Sequence, residues 1–283
     1  MKKNLLIAMA AIMAALTLNA QEEVQPYFTV DQLPDLIKCL PAPPAFDSPE
    51  FANDMMRFSW GKQQRLDPER AEIAKRDAVW SYEALLAEFD VPFGLHMSPE
   101  NTPEIWKLMV TSMTTTDAMR VAPKAYYHRQ RPFERFDDAM PSHEEDDLRG
   151  EGSYPSGHSL RGWGISLLLA QIAPAQANAI FQRGWDYCNS RVIVGAHWQS
   201  DVDASRVAAS IAVCALHGSP EFREQMAKAQ AEYIEKTGQS VNVTEVVPST
   251  PATSSQAYRI DGIKATEDTR GIIIQDGKKI LKN

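Results

Sequence analysis

An all-α fold is predicted for this 283-residue chain by two observations. Helix-start signals recur along it, each a capping residue, a proline and a glutamate: Asp67-Pro68-Glu69, Thr102-Pro103-Glu104 and Ser219-Pro220-Glu221. Such a cap accepts the orphan N–H groups of a first turn, proline has no N–H to lose there, and glutamate suits the positive end of the dipole. Between these signals no alternating, strand-like runs intervene. The length suffices for one large buried core, so a single compact helical domain is expected, with a small β-hairpin-like tail at the C-terminus.

The elements follow in chain order. Residues 1–20 (MKKNLLIAMAAIMAALTLNA) have the anatomy of a secretory signal peptide: a basic start, an uncharged run over 5–18, and small Ala20 before a polar stretch. That run is shorter than the roughly 20 residues a membrane anchor needs. Export to the periplasm, or beyond it, is the expectation, with a mature protein that is not membrane-embedded. Residues 21–50 are a proline-rich arm ("CLPAPPAFDSPEF"), and the pattern turns helical from about 51. One helix is expected over 69–89, from Ile73, Val79, Trp80, Leu85, Leu86 and Phe89 at helical period. Further helices are expected from Thr102 to about Met119, from Ser156 through Ile172, over Pro174–Asn189, over His197–His217, and from Ser219 to about Gly238. The helical domain therefore spans 51–240. A Ser/Thr/Pro linker fills 241–257, and 258–283 is a short β-like tail in which Asp261-Gly262 and Asp276-Gly277 each sit between apolar runs.

Composition excludes several classes of partner. Without the leader, 27 Lys+Arg stand against 37 Asp+Glu, a net of −10. Such a chain offers no general basic surface for nucleic acid or anionic lipid, so any attraction for anions must come from a few cations gathered locally. Cys39, Cys188 and Cys214 cannot all pair within one chain and are not spaced as metal ligands.

Three stretches carry the chemistry. In "GSYPSGHS" (152–159), Ser156 and Gly157 stand at a helix N-terminus, where backbone N–H groups and the dipole seat an anion, and His158 is placed to donate a proton. In "KAYYHRQRPF", Lys124 and Arg131 are seven apart, two turns on one face if the helix persists. Pro132 disfavours helix at Arg131 and puts that arginine at the helix end. Arg129 reads as part of a solvated basic face. In "SRVIVGAHWQSDVDASR", His197 and Asp201 are four apart, neighbours on one helical face, so that the carboxylate can fix the histidine tautomer and leave the other nitrogen as nucleophile or base. Arg191 can face the same point. Forked arginines match the oxygens of a phosphoryl group, and two histidines in opposed environments can divide attack from proton donation.

Read as K-x6-R-P, P-S-G-H and S-R-x5-H-x3-D, the chain matches at Lys124, Arg131 and Pro132, at Pro155, Ser156, Gly157 and His158, and at Ser190, Arg191, His197 and Asp201. It resembles the phosphatidic-acid phosphatase type 2 / vanadium haloperoxidase superfamily. "GSYPSGH", "HWQSDVDASR" and the proline-rich arm look like its bacterial class A non-specific acid phosphatases, over about 39–240. The resemblance implies an all-helical enzyme that needs no metal or other cofactor and hydrolyses small phosphate monoesters, with broad specificity, vanadate inhibition, phosphotransfer as a side activity, and homodimers or higher homo-oligomers. By the same resemblance Lys124, Arg131, Ser156, Gly157, His158 and Arg191 hold the phosphate. His197 forms a phosphohistidine, Asp201 orients it, and His158 protonates the leaving alcohol. Ala196 stands where close relatives carry tyrosine, which bears on leaving-group preference.

A vanadate-dependent haloperoxidase would use the same pocket, but such chains are typically much longer. A phosphate-binding or surface-interaction protein would not need both histidines. A membrane lipid phosphatase lacks spanning helices here to hold the motifs. "HEEDD" (143–147) reads as a solvated lip, and the aromatic residues of 58–89 together with Met55 and Met56 as core. The tail is either a sorting or attachment signal or a dispensable hairpin.

Overall fold

The computed structural model describes residues 24–239, 257–259, 264–266, 269–275 and 278–282. The leader and all but the last residue of the linker lie outside these. The chain divides into one unit up to Val241 and a second from Asn242.

The first unit is helical. Its helices of five residues or more are α1 (Phe51–Gln64), α2 (Pro68–Arg76), α3 (Tyr82–Ala87), α4 (Pro103–Asp117), α5 (Val121–Tyr127), α6 (Pro132–Phe136), α7 (Gly157–Ile172), α8 (Ala177–Ile193), α9 (Gln199–Leu216) and α10 (Pro220–Thr237). The capping signals operate as chemistry requires. Asp67 accepts from the Glu69 and Arg70 amides, Ser156 from Ser159, and Ser219 from Phe222, while Gly238 closes α10 in the left-handed region. α7 is apolar over most of its circumference and is correspondingly central, packed on α4, α8 and α9. Its Ile165, Leu168, Leu169 and Ile172 meet Ile105, Leu108 and Met109 of α4 and Phe222 and Tyr233 of α10 in one cluster.

Four expectations are corrected. The helix over 69–89 is broken: α2 ends at Arg76, and α3 restarts at Tyr82 under a Ser81 cap. The cause is Asp77, which is buried and held by Arg183 and by the Ser190 hydroxyl at 2.6 Å, so the chain turns inward where the apolar period alone runs straight on. α5 stops at Tyr127, with His128 left-handed, so Lys124 and Arg131 do not share a helix. α9 begins at Gln199, which leaves His197 ahead of the helix rather than in it. Met56 and Trp80 are exposed rather than core. All three cysteines are free thiols, and burial pushes Cys188 up to about 11.

The second unit is a three-stranded antiparallel sheet, more than a single hairpin, in the order β1 (Tyr258–Arg259), β2 (Gly271–Gln275), β3 (Lys278–Lys282). Tyr258 faces Ile274, Ile273 faces Ile280, and Gln275 faces Lys278. Both Asp-Gly pairs lie outside the described residues.

Candidate active site

Two connections and two helix ends converge on one cleft of about 280 Å³, lined by Lys124, Arg131, Gly157, His158 and His197 together with Trp80, Glu144 and Glu151. Ser156, Arg191 and Asp201 do not line it. They are fully buried in its wall. A larger cleft of about 730 Å³ lies between Tyr27 and Lys228, but no histidine or arginine lines it.

Each side chain has a local reason for its place. α5 carries Lys124 into the interior, where its Nζ donates to the Gly152 carbonyl at 2.5 Å. After the left-handed His128 the chain runs extended into Pro132, and burial alternates: Arg129 in, Gln130 out, Arg131 in. Arg131 is held by the Glu151 carbonyl at 3.0 Å and the Ala196 carbonyl at 3.0 Å. Ser156 spends its hydroxyl on capping α7. A Cβ on Gly157 would lie 2.9 Å from Arg120 and 3.4 Å from the Trp80 ring, so only glycine lets those side chains close over this helix end. Gly195, at φ +84°, turns the chain back after α8, and the Arg191 carbonyl receives the amides of both Ala196 and His197.

The two histidines have opposite hydrogen-bond surroundings. Nε2 of His197 lies 3.1 Å from Nη1 of Arg131. A guanidinium only donates, so Nε2 is the acceptor and the proton of the neutral ring sits on Nδ1. That Nδ1 faces Oδ2 of Asp201 at 3.5 Å, an ion-pair distance longer than a good hydrogen bond. Nε2 of His158 instead lies 3.0 Å from the Ala78 carbonyl. A carbonyl only accepts, so here Nε2 carries the proton and Nδ1 is the nitrogen left for chemistry. Trp80 packs on this ring, centroids 4.6 Å apart.

Arg120, Lys124 and Arg131 bring three cations to the cleft lining, with Arg191 buried behind it. Burial, with Arg131 alongside, lowers Lys124 to about 7, and burial brings Arg131 down to about 10. Both histidines are held well below the ordinary range, His158 by burial and then Arg191, His197 by burial and then Arg131. A polyanion seated among these groups opposes the like-charge effects and favours the protonated forms. Three carboxylates of the lining, Glu144, Asp147 and Glu151, face the cations. Glu144 grips Arg191 in bidentate fashion at 2.9 and 3.0 Å, and Glu151 lies 3.3 Å from Arg131 and 3.6 Å from Lys124. The acidic stretch 143–147 is thus a solvated lip only in part, since Glu144 reaches into the cleft.

A sequence profile for the PAP2 superfamily matches residues 105–224, which span α4 to the start of α10 and contain every predicted site residue. A non-specific acid phosphatase of Providencia stuartii is 38% identical over 209 residues, 73% of this chain and 84% of that protein. One of Salmonella typhimurium is 34% identical over 238 residues, 83% of this chain and 94% of the relative. An acid phosphatase of Zymomonas mobilis is 33% identical over 227 residues, covering 79% and 84%. The chain belongs to the bacterial class A acid phosphatases of the PAP2 superfamily.

Within that family frame, the residues that sequence reasoning missed are those that steady or oppose the cations. Arg129, read as a solvated face, is buried against Asp54 and Asp201. A partial signal was available: Pro132 disfavours helix at Arg131, and in an extended run residues two apart share a side, so Arg129 is buried along with Arg131. Trp80 had none, because an aromatic residue at helical period reads as core. Among the described residues no helix is long and apolar enough to cross a membrane.

Proposed function

We propose that this chain is an exported acid phosphatase that hydrolyses phosphate monoesters through a phosphohistidine at His197, with small phosphorylated molecules as substrates. The observation that carries this reading is the opposite polarity of the two histidines, one presenting Nε2 beside Arg131 and the other keeping Nδ1 for the cleft.

Lys124, Arg131 and Arg191 supply the charge that a phosphoryl group needs on its oxygens, and the α7 N-terminus at Ser156–Gly157 adds backbone donors. This set matches the donors that phosphoryl transfer requires without calling on a metal ion. Nε2 of neutral His197 attacks phosphorus as the bond to the leaving oxygen breaks, and His158 delivers its Nδ1 proton to that oxygen. Water then attacks phosphorus as the bond from phosphorus to Nε2 of His197 breaks. His158 takes the proton of that water, and phosphate leaves with His197 neutral again. Asp201 faces the proton on Nδ1 of His197 throughout and offsets the charge the ring gains.

His158 must be protonated for the first step, although burial and its cationic neighbours hold it low. The incoming phosphate supplies the opposite charge, so substrate binding brings a proton with it and is favoured as pH falls. Export rests on the leader-like residues 1–20, and homo-oligomerisation rests on the family alone.

The test is acid-sensitive, base-stable labelling of the chain by a radioactive aryl phosphate in EDTA, beside His197→Ala. Label on wild type and none on the variant supports the reading. Turnover that EDTA abolishes, or label that survives in His197→Ala, would overturn it.

A further inference from the structure

Asp201 faces His197 at ion-pair distance, yet the hydrogen bonds to its carboxylate come from elsewhere. Its Oδ1 accepts from Nη1 of Arg129 at 2.5 Å, and its Oδ2 accepts from the Trp198 amide at 2.8 Å. Arg129 turns its other nitrogen, Nη2, to Oδ2 of Asp54 at 2.8 Å. Asp54 in turn receives the amide of Ser200 at 2.8 Å and its hydroxyl at 2.6 Å. Asp54 is 1% exposed, Arg129 6% and Asp201 0%. Phe46, Phe51 and Trp198 stand 5.7 to 6.0 Å from the guanidinium and wall it in. The three groups come from α1, from the extended stretch before α6 and from the first turn of α9, so a strut crosses the molecule to end at the catalytic pair.

We propose that Arg129, clamped by Asp54, is a positioning residue that fixes the Asp201 carboxylate against His197. The inference rests on the phosphohistidine reading above. A carboxylate free to turn about its Cβ–Cγ bond presents either oxygen to the ring. The guanidinium removes that freedom by taking Oδ1, and Oδ2 is left toward Nδ1 of His197. Two carboxylates share one guanidinium, so the strut keeps one negative charge in excess, and the imidazole is the group it faces. When Nε2 bonds to phosphorus and the ring becomes cationic, the counter-charge is already in place and does not have to reorganise. Arg129 does not line the cleft, so it acts through Asp201 and not on phosphate.

Lysine at 129 keeps the charge but cannot bridge two carboxylates with a planar fork. The experiment compares Arg129→Lys, Asp54→Asn, Asp201→Asn and the double variant Arg129→Lys/Asp201→Asn in the full chain. Rapid-quench labelling counts competent sites by burst amplitude and times phosphoryl transfer by burst rate. For the two strut variants the expected result is an amplitude near wild type, a rate lower by roughly 10- to 100-fold, and a Ki for inorganic phosphate within about 2-fold of wild type. The double variant should be no slower than Asp201→Asn alone. Loss of amplitude at an unchanged rate would make the strut merely structural, and multiplying losses in the double variant would mean that it does not act through Asp201. Turnover without any trappable phosphoenzyme in wild type would remove the covalent reading only, and the same cycle read in kcat would still decide the strut.

Discussion

The two sides of the cleft are built from different materials. On the His158 side a helix N-terminus, a glycine and a backbone carbonyl do the holding, and the ring is covered by Trp80. On the His197 side the holding is ionic: Arg131 before the ring, Asp201 behind it, and Arg129 and Asp54 behind that. The first arrangement buries a nitrogen beside cations, so its affinity for a proton depends on the charge that arrives. The second keeps its charges whether substrate is present or not. A group that must exchange a proton in each half of the cycle benefits from the former, and one that must become cationic on attack benefits from the latter.

Substitution of the histidines breaks the comparison most sharply. His197→Ala should abolish turnover for every phosphate ester, a loss above roughly 10⁴-fold. His158→Ala should cost roughly 10²–10⁴-fold with an alkyl phosphate and much less with a nitrophenyl phosphate, whose leaving oxygen needs no proton. Parallel kcat measurements on the two substrates check this, and an equal loss on both would remove His158 from proton donation.

The next effect is in pH. On the proposed mechanism Lys124 must be charged to hold phosphate, and burial lowers its value to about 7. Hence kcat/KM, which already declines with rising pH because His158 must take up a proton on binding, should fall more steeply as pH rises through that value. Bound phosphate favours the charged amine, so kcat itself should fall at higher pH than kcat/KM. Lys124→Arg should carry the fall in kcat/KM upward by more than one pH unit.

The smallest effect concerns Glu144, whose carboxylate sits on Arg191, the guanidinium assigned to phosphate. Neutralising it as Glu144→Gln should lower KM roughly 5-fold, the equivalent of a partly exposed ion pair of about 1 kcal/mol, with kcat unchanged. A raised KM would instead make Glu144 a substrate contact.

The helices were legible in the sequence wherever a local signal set their ends. Asp67, Ser156, Ser219 and Gly238 each end a helix by their own side chain or backbone. Where a distant partner decided the matter, local reading failed. Asp77 breaks the run after α2 because Arg183 and Ser190, more than a hundred positions later, draw it inward. Among the residues lining the cleft, Lys124, Arg131, Gly157, His158 and His197 were legible because these residue types stand at spacings that suit an anion site, whereas Trp80 and Glu151 were not. Nor were the supports: Arg129 and Glu144 are ordinary charges in charged stretches, and only the fold shows which of them are buried.

The turn between α8 and α9 has a consequence for engineering. Because the Arg191 carbonyl receives the amides of Ala196 and His197, the backbone that carries the cation is tied to the backbone that carries the His197 ring, like the two jaws of a fixed gauge. Lengthening that turn would separate the jaws. The turn at Pro99 and Glu100, exposed and not part of the cleft lining, is where new chain ends or an inserted sequence would leave its setting undisturbed.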